Sequence, residues 1–140
     1  MEFESTTTKE SVNQIPKGQG TILLVEDEQL VRNLAAEILR SQGYEVLTAG
    51  NGVDALRVSG DYAGKIDLMV TDVVMPQMGG RELAERLGPL RPKTRVLYMS
   101  GYTDDAVLRQ GILEDHVSFI QKPFSPDSFA LKVREVLGPV

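Results

Sequence analysis

The chain has 140 residues, 41% of them hydrophobic, with a formal net charge of −5, no cysteine and a single histidine, His116. That length suits one domain and a tail, and no apolar run approaches the ~20 residues of a membrane-spanning helix. Disulfides, thiol chemistry and multi-histidine metal centres are excluded, and the acidic balance opposes direct nucleic-acid binding.

Residues 1–19 are polar and unpatterned and read as a flexible tail or linker. They contain no apolar core of a secretory signal. With the absence of cysteine, this sets the expectation of a cytoplasmic chain without membrane contact. From Thr21 a rhythm begins. "TILLV" (21–25) is a short, branched apolar run, which reads as a strand. Leu30, Leu34 and Ile38 recur at helical spacing until Gly43. "EVLTA" (45–49) is a second strand, Asn51-Gly52 a turn, and Val53–Val58 a short helix. "IDLMVT" (66–71) is the third strand and Arg81–Leu87 the third helix, stopped by Gly88-Pro89. "RVLYMS" (95–100) is the fourth strand. Thr103 can cap a helix over 104–114, and "VSFIQ" (117–121) is the fifth strand. In the last helix Ser125 caps, Pro126 takes the first position and Asp127 complements the dipole, with Phe129, Val133, Val136 and Leu137 facing inward.

Five strands alternating with five helices imply parallel pairing through right-handed crossovers. Continuously apolar strands imply helices on both faces. The expected architecture is a three-layer α/β sandwich of flavodoxin-like type, strand order 2-1-3-4-5. Ligands in such folds bind outside the carboxyl ends of the strands, where the order reverses. The residues following the strands are therefore the ones to inspect. Glu26-Asp27-Glu28 follow the first strand, Asp72 the third, Ser100-Gly101 the fourth and Lys122-Pro123 the fifth.

Each of these alone has an ordinary explanation: a dipole complement, a turn aspartate, a turn serine, a solvated lysine. Met69, Met75, Met78 and Met99 read as packing residues, and His116 as a loop residue. Together, three converging carboxylates repel one another and call for a cation. All-oxygen ligands select Mg²⁺, Ca²⁺ or Mn²⁺. A lysine beside such a metal and an aspartate makes a phosphate-binding arrangement. The aspartate can then act as a nucleophile toward phosphorus and form an acyl phosphate.

"ILLVEDE", "DLMVTDVVMPQMGG", "VLYMSGY" and "FIQKPF", in this order and spacing, resemble the receiver domain of two-component response regulators over about residues 20–138. The resemblance divides the chain into a linker, 1–19, and a receiver domain, 20–140. It implies Asp72 as phosphoacceptor, with Mg²⁺ as cofactor held by Asp27, Glu26, Asp72 and the Val74 backbone carbonyl. It implies Ser100 and Lys122 on the phosphoryl oxygens, Gly101 leaving the group room to enter, and a cis Lys122-Pro123 bond. Ser100 and Phe119 would form the switch, with Tyr102 a second aromatic able to fill the same groove. The implied partner is a histidine kinase or a histidine phosphotransfer domain. A homodimer through the face of the fourth helix, fifth strand and fifth helix is also expected. "YMSGYTDD" and "GQGTILLVEDE" are most similar to receivers at the C-terminus of hybrid sensor histidine kinases. The expected role is a signalling receiver, not an enzyme, that assists its own phosphorylation and dephosphorylation and has no output domain of its own, either as a stand-alone regulator or as a receiver segment of a hybrid histidine kinase.

Two rival classes fit less well. A phosphatase of haloacid-dehalogenase type needs a second aspartate two positions after the nucleophile, where this chain has Val74. A flavodoxin-like cofactor module needs a neutral phosphate loop after the first strand, where Glu26-Asp27-Glu28 would repel an anion.

Overall fold

A computed structural model describes residues 19–101 and 118–138. The elements in chain order are β1 (Thr21–Val25), α1 (Gln29–Ser41), β2 (Glu45–Ala49), α2 (Gly52–Asp61), β3 (Leu68–Asp72), α3 (Gly80–Leu87), β4 (Arg95–Ser100), β5 (Ser118–Gln121) and α4 (Pro126–Leu137). The five strands form one sheet in the order β2-β1-β3-β4-β5, and every pairing is parallel. This is the expected flavodoxin-like order, with β1 and β3 adjacent. The helix expected over 104–114, its Thr103 cap, Tyr102 and His116 lie outside the described residues.

Alternation along the central strands builds two cores. Ile22 and Leu24 of β1 and Leu68 and Val70 of β3 pack with Ala35, Leu39, Phe129 and Val133 of α1 and α4. Leu23, Val25 and Met69 face the other way, onto Ala55, Leu83 and Leu87 of α2 and α3. Each of the larger buried side chains here, the Leu, Ile, Val, Met and Phe, contributes roughly 1.5–3 kcal/mol of transfer free energy. All five residues of β1 and of β3 are buried, whereas every residue of β5 is half-buried.

Three local readings change. In α1 the buried face is Ala35, Ala36 and Leu39, while Leu30 is 84% exposed and Leu34 54%. The Leu30–Leu34–Ile38 row has helical spacing, but the small alanines allow closer approach to the sheet, and the row lies beside that contact. Asn51 does more than turn the chain: its side chain accepts from the Asp54 N–H at 2.7 Å and caps α2, which runs to Asp61. The third strand is shifted toward its carboxyl end and includes Asp72 itself.

The other termini follow the expected chemistry. Gly43, at φ 101°, takes the left-handed position that ends α1. Ser125 and Ser128 form a capping box at the start of α4, with Pro126 at the first turn. Met69, Met75, Met78 and Met99 are all buried.

Candidate functional site

Register brings the acidic residues together. Val25 of β1 lies opposite Thr71 of β3, so Glu26 and Asp72 leave neighbouring strands at the same level. The Glu26 N–H donates to the Ala49 carbonyl at 3.1 Å and extends β1 pairing by one residue. Asp72 is fixed from its other side. The Val73 N–H donates to Met99 at 3.0 Å, and the Gly80 N–H donates to the Val73 carbonyl at 2.8 Å, folding the loop back over the strand end. A side chain on Gly80 would collide with the Asp72 carbonyl, so α3 can begin this close only with glycine.

Carboxylate oxygens of Glu26, Asp27 and Asp72 all lie within 4.8 Å of one another. Glu26 and Asp72 are buried, while Asp27 is exposed and has no partner among the described residues. Lys122 reaches across the sheet from the end of β5. Its ammonium lies 3.1 Å from Glu26 Oε2 and 3.0 Å from Asp72 Oδ1. The Lys122 N–H donates to the Ser100 carbonyl at 2.6 Å, and the Lys122-Pro123 bond is cis. Glu28 stays out of the cluster: its backbone N–H donates to Glu26 Oε1 at 3.1 Å, and it lines a neighbouring cavity of about 320 Å³ with Val31, Leu34 and Phe124.

Three carboxylates face one lysine, and the charge is not balanced. Burial, then the hydrogen bond and charge of Glu26, push the Asp72 carboxyl up to about 8 from its ordinary 3.8, against the opposing pull of Lys122. Burial lowers the Lys122 ammonium, but Asp72 and Glu26 outweigh it and the net direction is upward. An uncompensated oxygen-only donor set of this kind fits a hard divalent cation. Ser100 is fully buried, and its hydroxyl finds no hydrogen-bond partner among the described residues. A buried hydroxyl left unpaired is costly, and it stands at the end of β4 opposite Gln121, next to Lys122. Phe119 is half-buried and packs against Tyr98. Val74 is 57% exposed at the loop after Asp72.

Residues 22–134 match the response regulator receiver domain family. The chain belongs to that family. The receiver is 40% identical over 120 residues to the sensor kinase CckA of Brucella abortus, covering 86% of this chain and 13% of that kinase. It is 34% identical to the solved receiver domain of the hybrid histidine kinase CckA, covering 85% of this chain and all of that one, with a TM-score of 0.70. A crystal structure of the response regulator TrrA from Thermotoga maritima in complex with Mg(2+)-BeF is 28% identical, with a TM-score of 0.71 over 84% of this chain and 99% of that one. The chain is thus a receiver domain of two-component signal transduction, a signalling module of a kind that interacts with histidine kinases or phosphotransfer proteins and binds Mg²⁺ at an acidic site. It spans half or less of curated relatives such as the Brucella kinase and the Azospirillum brasilense regulator NtrC. No described helix is long and apolar enough to cross a membrane.

The receiver brings Glu26, Asp27, Asp72, Lys122 and Ser100 to one end of the sheet, as the strand-end argument expected. Two contributors escaped it. Gly80 carried only the generic signal of a loop glycine. Arg32, whose guanidinium donates to the Glu26 backbone carbonyl at 2.7 Å, carried none, because a bond to a carbonyl leaves no trace in residue type.

Proposed function

We propose that Asp72 is the phosphoacceptor of this receiver and that Asp27, Asp72 and the Val74 carbonyl hold Mg²⁺, with Glu26 supporting the site. The observation that carries the reading is the convergence of three carboxylates within 4.8 Å, two of which, Glu26 and Asp72, are bridged by Lys122. The donor is a phosphohistidine of a histidine kinase or histidine phosphotransfer domain. A carboxylate oxygen of Asp72 attacks phosphorus as the phosphorus–nitrogen bond breaks, and the imidazole leaves with the electron pair. Mg²⁺, when bound, supplies positive charge to the phosphoryl oxygens. Lys122, 3.0 Å from Asp72 Oδ1, adds a second cation beside the acceptor, and the unpaired Ser100 hydroxyl is available to donate to a phosphoryl oxygen.

Movement of Ser100 toward the phosphoryl group would pull on Gly101 and let Phe119, which rests against Tyr98, turn inward. We place the receiver at 20–140, with 1–19 as its linker, in a cytoplasmic phosphorelay, as a stand-alone regulator or as the receiver segment of a hybrid histidine kinase. Its role there is as a signalling receiver that assists its own phosphorylation and dephosphorylation, without direct nucleic-acid binding. The homodimer face expected from the resemblance includes residues outside the described ones.

Incubation of the full chain with acetyl phosphate and Mg²⁺ should add one phosphoryl group by intact mass, and Asp72→Asn should abolish it. Undiminished labelling of the Asn variant would refute the assignment.

A further inference from the structure

Arg32 lies one turn into α1, and its Nη1 reaches back to the Glu26 backbone carbonyl at 2.7 Å. The guanidinium lies over Gly50, the residue after β2; a Cβ there would stand 3.1 Å from Nη1. The Glu26 N–H is already held by the Ala49 carbonyl. Both backbone groups of Glu26 are therefore tied, one to β2 and one to Arg32. Arg32 forms no ion pair with Glu26, Asp27 or Asp72 among the described residues, whereas Lys122 pairs with two of these carboxylates. One cation occupies the carboxylates, and the other occupies the backbone that carries them.

We infer that Arg32 is a positioning residue for the metal, acting through the β1–α1 turn. The peptide between Glu26 and Asp27 is planar, so a donor fixed on its carbonyl also restricts the bond that leads into Asp27. Asp27 is the exposed, unpartnered acid of the cluster and has no side-chain contact of its own to aim it. Arg32 supplies that aim while leaving the Asp27 carboxylate oxygens free. Gly50 is part of the same device, since a Cβ there would crowd the guanidinium at 3.1 Å and a larger side chain would push it aside. The inference rests on the reading that the cluster takes Mg²⁺.

The test measures Mg²⁺ affinity of the full chain by calorimetric titration, together with the Mg²⁺ dependence of phosphorylation by acetyl phosphate. Arg32→Met keeps the aliphatic stem and removes the donor. It should weaken Mg²⁺ binding by about tenfold, the range seen when an outer partner of a metal ligand is lost. The phosphorylation rate at saturating Mg²⁺ should stay close to that of the unaltered chain, which general damage to the fold would not allow. Arg32→Lys keeps a charged donor and should recover most of the loss. Gly50→Val should displace the guanidinium, reproduce the loss on its own and add little to Arg32→Met. Unchanged Mg²⁺ affinity in Arg32→Met, or additive losses in the double variant, would overturn the inference. Should Arg32→Met fail to fold, Gly50→Val alone decides, and normal affinity there overturns it. Absence of any Mg²⁺ response in the unaltered chain would overturn both this inference and the metal reading beneath it. A normal response there with unchanged variants overturns this inference alone.

Discussion

The two sides of the site are built differently. The acidic side stands on β1 and β3, whose residues are all buried and paired on both flanks. The lysine stands just past β5, an edge strand half-buried throughout, and its own side chain is 23% exposed. Charge that must be held against its own repulsion sits where the backbone cannot yield. The group that answers a change in that charge sits where movement costs less contact. The central strands thus store an electrostatic imbalance, and the edge reports it.

The largest expected effect comes from removing the link between the sides. Lys122→Met leaves two buried carboxylates without their cation. Breaking a buried pair costs about 3–5 kcal/mol, and partial exposure of the lysine puts this case near about 3. Thermal melts at neutral pH should show the loss, and Mg²⁺ should restore more stability to the variant than to the unaltered chain. Equal losses with and without Mg²⁺ would mean that Lys122 and the metal do not answer the same charge. Phosphorylation should slow by about two orders of magnitude, as for loss of one oxyanion donor.

A smaller effect sharpens the account of the acidic side. Folding raises the Asp72 carboxyl to about 8 from 3.8, through burial first and Glu26 second. Its protonated form is the one that folding favours. The associated stability is complete below the unfolded value and is lost as pH rises through about 8. The metal-free chain should therefore weaken over that window. A proton also competes with the cation for Asp72, so apparent Mg²⁺ affinity should rise between about pH 6 and about pH 8, by at most roughly tenfold per unit. Titrations at the two ends give the slope. A flat profile would show that Asp72 is ionised throughout and that the imbalance is already compensated.

The smallest effect falls on the hydroxyl between the two sides. Ser100 is buried with an unpaired Oγ, so Ser100→Ala removes an unsatisfied group at little packing cost. The metal-free chain should keep its stability or gain up to about 1 kcal/mol, while steady-state phosphorylation falls. A clear drop in melting temperature would show that the hydroxyl has a partner at rest.

Much of this was legible in the chain. The apolar runs of β1 and β3 could be buried only in a sheet covered on both faces, and the alternation of strands and helices then left few orders. Ser125-Pro126 marked the start of α4 because capping is decided within one turn. Glu26, Asp27, Asp72, Ser100 and Lys122 could be grouped because each stands at or just past the carboxyl end of a strand, and those ends in a parallel sheet share one side. Local spacing identified the first helix without saying which of its faces meets the sheet. Leu30 and Leu34 have helical spacing, yet the smaller Ala35 and Ala36 took the sheet.

What only the tertiary structure decided are the relations between distant residues. Lys122 stands 96 positions from Glu26, and nothing local states that one ammonium would bridge it to Asp72. The upward shift of Asp72 exists only once burial and Glu26 act on it together. The empty hydrogen-bonding capacity of Ser100 and the bond from Arg32 to the Glu26 carbonyl are likewise absent from any pattern of residue types. Periodicity and capping are short-range and repeat along the chain, so sequence expresses them. Distance, desolvation and charge balance arise when remote segments are packed, and only packing sets their size.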